Sequence, residues 1–174
     1  MAENTRKRLL IFIPILVIIF IISFDLIVRQ INKPLPLDVN LTKISLGQKD
    51  VPQLKLMYQS RIDAGRINPN SYSWLISYFQ GEGENKKKSL MAKVYIYDSQ
   101  EKLSMDFVKT TPEFLHEINV KKIGSESFAY SGDILGVKST TIIFKKKNVI
   151  VTLNFNGGTV DEAVNYAKLI ERKI

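Results

Sequence analysis

The feature that most constrains this chain is an apolar run at residues 9–28, LLIFIPILVIIFIISFDLIV, preceded by Arg6, Lys7 and Arg8. As a helix the run is about 30 Å long, which matches the hydrocarbon core of a bilayer. A signal peptide has a shorter apolar region, about 7–15 residues, followed by a small-residue cleavage site, and no Ala-x-Ala follows here. We therefore expect an uncleaved transmembrane anchor at residues 9–28 after a tail at residues 1–8; a cleaved signal peptide is the alternative.

The charges that flank the run indicate its orientation. Basic residues before an apolar span favour a cytoplasmic N-terminus. Arg29 and Lys33 follow the run and weaken this asymmetry, but long C-terminal domains translocate largely regardless of their charge. We expect a single-pass protein of the cell membrane, with a cytoplasmic N-terminus and its C-terminal domain outside.

Two residues interrupt the apolar run and are candidate intramembrane contacts. Pro14 lies in the second turn of the predicted helix, where proline can kink a span. Asp25 lies about one turn from the outer end. It is either solvated among lipid headgroups or in contact with a partner helix, since charges within a membrane are usually functional.

The remainder of the chain divides into a linker and one domain. Pro34 and Pro36 favour extended backbone, so residues 29–50 are predicted to form an extended stalk. Residues 51–174 have the length of a single domain. Alternating apolar and polar residues predict two hairpins there, together with weaker strands. The hairpins are 71–79 with 90–97 and 137–144 with 149–155, and the weaker strands are 54–58, 120–123 and 127–130.

Two helices are predicted from capping patterns. Asp98 with Glu101 resembles a capping box and starts a mid-chain helix that would bury Leu103 and Phe107, with a further helical turn at 111–113. Thr159 with Glu162 starts a C-terminal helix whose apolar residues recur at helical spacing. The predicted fold is α+β: an antiparallel sheet of six or seven strands with a mid-chain and a C-terminal helix, preceded by the membrane helix.

Three stretches resemble a known fold family. They are residues 94–99, VYIYDS, before a helix; residues 123–129, IGSESFA; and residues 144–151, FKKKNVIV, which lead to a C-terminal helix. Their order is similar to the PsbP/Mog1-like α+β accessory domains of secreted proteins and lipoproteins. The chain departs from the lipoproteins in its apolar run and its lack of cysteine. The resemblance implies a non-catalytic accessory or assembly role and carries over no catalytic residue.

The residues that support common catalytic chemistry are scarce. The chain has no cysteine and a single histidine, His116, whose predicted role is a polar helix cap; this disfavours thiolate chemistry and the usual zinc sites. There is no Gly-x-Ser-x-Gly and no phosphate-binding loop. The Gly157–Gly158 turn could bind an anion, although a plain turn capped by Thr159 is favoured. We predict no catalytic residue, no metal and no cofactor, while paired carboxylates stay open.

Charge and aromatic residues indicate the candidate surfaces. The net charge is +8, and lysine triplets at 86–88 and 145–147 are predicted to be solvated turns. Aromatic residues on neighbouring strands form a candidate partner surface. The first three are expected to be covered by a helix and the last two partly exposed: Tyr72, Trp74 and Tyr78, then Tyr95 and Tyr97.

These observations favour a membrane-anchored outer domain that binds, or helps assemble, a membrane or envelope complex. The expected partners are membrane lipid and a membrane or envelope protein, and nucleic acid is not expected. The alternative is a hydrolase that acts on an envelope polymer with carboxylates. A sensor domain is a third interpretation.

Overall fold

A computed structural model describes residues 17, 19–24, 26, 33–63 and 71–174. The chain forms two compact units, Met1–Pro34 and Leu35–Ile174. Of the described residues of the first unit, 17, 19–24 and 26 are helical, and all have exposed side chains. Within the described part of the chain, no helix is long and apolar enough to cross a membrane. The predicted tail, Pro14 and Asp25 lie outside the described residues.

The second unit is built on an antiparallel sheet of seven strands, in the order β1-β2-β3-β7-β6-β5-β4. Three helices accompany it: α1 (Leu41–Ile44), α2 (Gln100–Asp106) and α3 (Val160–Lys173). The α+β class and the antiparallel sheet are therefore confirmed. The strands are β1 (Lys55–Asp63), β2 (Ser73–Gln80), β3 (Ser89–Ile96), β4 (His116–Glu117), β5 (Glu126–Ile134), β6 (Val137–Lys146) and β7 (Val149–Asn156).

The core lies on one face of the sheet, which we call the helix face because α3 packs there. Its centre is made of alternate residues of β3 and β7, which face the buried side of α3. This burial of apolar surface is the main source of stability for such a domain. The buried residues are Leu90, Ala92, Val94 and Ile96 of β3, Val149, Val151, Leu153 and Phe155 of β7, and Ala163, Tyr166, Ala167 and Ile170 of α3.

The cap of α3 confirms the sequence prediction. The backbone amide of Glu162 donates to Oγ1 of Thr159 at 3.2 Å, and the amide of Thr159 donates to Oε2 of Glu162 at 2.8 Å. Gly157, which precedes the helix, has φ of 73°, and a Cβ there would collide with the carbonyl of Lys87. Glycine is therefore needed to pass the chain from β7 into α3.

The predicted stalk is wrong for residues 35–50, which belong to the folded domain. Leu41 and Leu46 are fully buried in the core of the helix face, and Ile44 is nearly so. The small side chain of Ser77 on β2 leaves space for this segment. Its Oγ lies 3.1 Å from Oγ of Ser45. Proline breaks a helix but does not keep a chain away from a core, so the two prolines do not predict exposure.

The region between α2 and β5 also differs from the prediction. Ser99, not Asp98, caps α2: its Oγ accepts from the amide of Lys102 at 3.2 Å, while Asp98 pairs with the Lys102 ammonium at 2.8 Å. No helical turn forms at 111–113 and no strand at 120–123. His116 lies in the short edge strand β4 rather than at a helix end. This crossing segment takes its conformation from contacts with the sheet, which local patterns do not encode.

The lysine triplets lie at strand ends and turns, as predicted, but most of their ammonium groups are engaged rather than only solvated. Lys88 pairs with Glu162 at 2.9 Å, and Lys145 pairs with Glu126 at 2.6 Å. Lys146 and Lys147 donate to the carbonyls of Glu171 and Ile174, each at 2.7 Å. These two lysines satisfy carbonyls at the C-terminus of α3, where cations are favourable.

Candidate binding surface

The second face of the sheet is only partly covered. Alternate residues of β2, β3 and β7 point to it, opposite to those that enter the core. At one end α2 and the chain after it pack over Tyr95 and Ile150, and the ring of Phe107 stacks on Phe128 at 5.1 Å. Tyr130 of β5 and Ser139 and Thr141 of β6 lie on this face and are buried as well. The part that runs over β1, β2, β3 and β7 is half-exposed in the described residues, and we call it the open face. The residues whose side chains point to the open face include Tyr58, Ile76, Tyr78, Met91, Lys93, Thr152, Asn154 and Asn156.

The aromatic part of the open face lies on β1 and β2. Tyr58 and Tyr78 are cross-strand neighbours whose rings stack with centroids 5.5 Å apart. Tyr58 is half exposed, and the hydroxyl of Tyr78 donates to Oε1 of Gln80 at 2.6 Å. Stacked tyrosines of this kind offer a rigid apolar area with polar ends, which is typical of protein interfaces.

The polar part of the open face lies on β7 and is held by buried hydroxyls of β6. Oγ1 of Thr141 donates to Oδ1 of Asn154 at 2.9 Å, and Oγ of Ser139 donates to Oδ1 of Asn156 at 2.7 Å. Asn156 in turn donates from Nδ2 to Oγ of Ser89 on β3 at 3.2 Å. This network fixes the side-chain amides in a row across the strands. The two hydroxyls are buried, so a ligand on this face would meet the half-buried amides, which Met91 separates from the aromatic pair.

The structure separates the five aromatic residues predicted as a partner surface. Tyr72 is 40% exposed, and Tyr78 and Tyr95 are half-buried. Trp74 and Tyr97 are buried, at 5% and 2% exposure, so they are removed from that surface. Trp74 is covered because its ring stacks on Tyr95 at 5.5 Å. Tyr97 is buried in the cluster under α2, where its hydroxyl donates to Oδ2 of Asp106 at 2.9 Å.

The predicted split between a covered and an exposed aromatic set is also wrong. Trp74 of β2 is directly opposite Tyr95 of β3, so both sets lie on the same face. The core takes the other side of β2, with Leu75 and Phe79. Burial raises the pKa of the Tyr95 hydroxyl, and the nearby Asp106 carboxylate raises it further, so this phenol stays protonated at neutral pH.

Several open-face residues were missed by the sequence reasoning. Tyr58 was placed at the end of a short strand, whereas β1 continues to Asp63 and brings Tyr58 beside Tyr78. Asn154 and Asn156 were recognised only as alternating positions of β7. The available signal was the polar side of that strand, which carries asparagine and threonine where charged residues are usual on a solvated face.

A cavity away from the open face is lined by His116. It has a volume of about 360 Å³ and lies on the helix-face side, between β5, β6 and the start of α3. Asp133, Lys138 and Thr159 also line it. Ser131, opposite His116, donates its hydroxyl to the carbonyl of Ser139 at 3.1 Å and so is not poised as a nucleophile. Among the described residues, no His, Asp and Glu group is arranged to hold a metal ion.

Comparisons with known proteins show that the fold of this chain is similar to that of solved structures. No family model matches the chain, and no curated protein matches it. Among solved structures, the chain is similar to the extracellular domain of PknH from Mycobacterium tuberculosis, with 11% identity and a TM-score of 0.53. That match covers 82% of this chain and 97% of the PknH domain. A GTP-binding regulator from Thermotoga maritima matches with 14% identity, 81% and 93% coverage and a TM-score of 0.42. At this identity, the PknH likeness shows a shared fold.

Proposed function

We propose that this chain is a membrane-anchored, extracytoplasmic accessory domain that binds a component of a membrane or envelope complex through the open face of its sheet. The observation that carries the proposal is the open face itself. It holds a stacked tyrosine pair and, across β3, a row of half-buried side-chain amides that are held in place by hydrogen bonds. A sheet face that serves only stability would be solvated and charged or covered by a helix.

The sequence supports the membrane attachment. The apolar run at residues 9–28 has the length of a span, and the basic residues before it favour a cytoplasmic N-terminus. The fold likeness to a domain described as extracellular agrees with an outside location for residues 35–174. The PsbP/Mog1-like resemblance supports an accessory rather than a catalytic role, with membrane lipid and a membrane or envelope protein as partners.

The topology is tested in intact cells, and the binding surface is tested by purification from those cells. We expect protease added outside the cells to remove the folded domain and to leave a fragment held in the membrane. For binding, the chain is purified in mild detergent together with its partners, either unchanged or with Tyr58→Ser and Tyr78→Ser. The double variant is expected to recover about tenfold less partner, since stacked aromatic residues are frequent binding hot spots.

The matched control is Arg172→Ser, which removes a large exposed side chain from α3, on the other side of the sheet. It should recover the same amount of partner as the unchanged chain. A domain protected from outside protease would refute the topology. Equal recovery with the tyrosine variant, or isolation of the unchanged chain without any partner, would refute the binding role of the open face.

A second candidate is the envelope-polymer hydrolase, and the cavity that contains His116 is the observation that favours it. A histidine and a carboxylate that line one cavity could serve as acid and base. Hydrolysis of a glycan by carboxylates, however, uses a pair of Asp or Glu side chains on either side of the bond. The cavity contributes Asp133 alone, and Ser131 is bonded to the backbone. The geometry therefore supports the binding role better.

A further inference from the structure

The tip of the β5–β6 hairpin exposes large apolar side chains. Ile134 and Val137 form the last pair of the ladder, and Leu135 and Gly136 make the two-residue turn. Leu135 is completely exposed, and Ile134 is 38% exposed. Phe114, which is 73% exposed, lies at the same end of the hairpin, because its carbonyl packs against Gly132, two residues before Ile134. We call Phe114, Ile134 and Leu135 the hairpin knob.

Two of the three residues hold a backbone conformation that large side chains disfavour. Leu135 has φ of 53° and Phe114 has φ of 65°, both in the left-handed region. A two-residue hairpin turn of this kind normally takes Asn-Gly, and Gly136, with φ of 78°, fits the second position. Leucine at the first position gains no burial against the described residues and adds steric strain. Folding alone therefore does not account for leucine at this position.

The turn presents Leu135 in a fixed orientation. Oδ1 of Asp133 accepts from the backbone amide of Gly136 at 2.7 Å, which closes the turn from the side chain. The nine-residue pairing of β5 with β6 supports it from below. Because the backbone is already held in place, little backbone freedom is lost when a partner buries Leu135, which favours tight binding.

The position and charge of the knob indicate what buries it. The folded unit begins at Leu35, whose amide donates to Oδ1 of Asn148 at 2.7 Å, in the turn after β6. The knob lies at the start of β6, about 30 Å away along a strand of ten residues. It is thus remote from the end at which an anchored domain is attached. The charged residues that flank the knob are Glu113, Asp133 and Lys138. Two of the three are acidic, whereas the rim of a lipid-binding tip is basic.

We propose that the hairpin knob inserts into an apolar pocket on a protein partner, at the end of the domain remote from its attachment. This contact is separate from the open face and uses shape and apolar burial, with a rim of mixed charge around it. It goes beyond the proposed function because it assigns a second surface. The orientation argument relies on the membrane anchor, whereas the strain and exposure of the knob do not.

The experiment maps the contact in intact cells with the full chain. A photoreactive residue, p-benzoylphenylalanine, replaces Leu135 in one variant and Met105 in a matched control. Met105 is similarly apolar and exposed but lies on α2, away from the knob. After irradiation, adducts are separated by mass and identified by mass spectrometry. We expect a discrete protein adduct from position 135, at least about tenfold stronger than from position 105.

The captured protein is then purified and titrated against the full chain in mild detergent. Leu135→Asn is expected to weaken the Kd about tenfold, and Met105→Gln to change it less than about twofold. Asparagine suits the turn, so a loss of binding would not reflect a loss of folding. Lipid adducts would overturn the proposal in favour of a membrane contact, and adducts to a second copy in favour of self-association. Equal affinity of Leu135→Asn, or no adduct at position 135, would also overturn it. Each of these results is independent of protease accessibility and of the tyrosine variants.

Discussion

Leu135 illustrates, at the scale of single residues, how a side chain can be unfavourable for folding and still be retained. Its left-handed backbone costs about 1–2 kcal/mol for an ordinary L-residue, and its side chain is fully exposed. Asparagine tolerates this conformation because its short polar side chain can bond to the local backbone. A substitution at Leu135 can therefore relieve the strain without changing the rest of the fold.

We predict that Leu135→Asn stabilises the domain by about 1 kcal/mol, because the strain is relieved and no buried contact is lost. Urea unfolding of residues 35–174, followed by circular dichroism, measures the change. Ile134→Asn is the control, since Ile134 is a paired strand residue outside the left-handed region and should gain nothing. A Leu135→Asn variant that unfolds at a lower urea concentration than the parent chain would contradict the argument.

Residue-scale patterns predicted only part of the candidate surface. Alternation places Trp74 and Tyr78 on the same side of β2, and the structure agrees. It does not say which side the helices cover, because Leu75 and Phe79 make the opposite side equally suitable for a core. The burial of Tyr97 depends on α2 folding over it, a contact that no local pattern contains. The exposure of Leu135 was not predicted, because leucine is not a typical turn residue and the glycine beside it does not by itself indicate a turn.

At the scale of elements, the strands and helices with strict local signals could be predicted. The strands of the two hairpins are rich in β-branched and aromatic residues and are joined by polar stretches, and α3 carries its own capping box, so both follow from short stretches of sequence. Segment 35–50 and the chain from 107 to 125 could not be predicted, since they are irregular and acquire their conformation by packing on the sheet. Leu41 and Leu46 are spaced like many loop leucines, and only the tertiary structure buries them.

The N-terminus of α3 yields a prediction about pH. The hydrogen bond from the Lys88 ammonium, and then that from the Thr159 amide, hold the pKa of Glu162 below its usual value. A carboxyl whose pKa is lowered by folding contributes stability above its unfolded pKa and loses it as the pH falls through the folded pKa. The contribution of Glu162 is therefore complete at neutral pH and is lost in acid, below about pH 4.5.

We predict that Glu162→Gln lowers the free energy of unfolding by about 0.5–1 kcal/mol at pH 7, with the difference fading to nothing near about pH 2. Glutamine keeps the capping box, so the variant isolates the charge. Urea titrations at several pH values measure it. Asp161→Asn removes a charge from the same turn without affecting the Lys88 contact, and it should cost less. A difference between Glu162→Gln and the parent chain that does not change with pH would refute the electrostatic explanation.

At the scale of the whole domain, the two faces of the sheet have different roles. The helix face buries α1, α3 and the segment 35–54 against the central strands and forms the larger of the two apolar clusters. The second face is closed at one end by α2, is buried at Tyr130 and Thr141, and is half-exposed over the open face. Because stability comes mainly from apolar burial, the helix face should carry most of it, and substitutions on the open face should be tolerated.

Adjacent residues of β2 test this division within a single strand. Phe79 is fully buried on the helix face, and Tyr78 is half-buried on the open face. We predict that Phe79→Ala costs about 3–5 kcal/mol, through lost burial and the cavity left behind. Tyr78→Ala should cost about 1 kcal/mol or less, the worth of one cross-strand pair with Tyr58. Urea unfolding of residues 35–174 measures both. Comparable losses for the two variants would mean that the open face is part of the stabilising core, and that its tyrosines are retained for folding rather than for a partner.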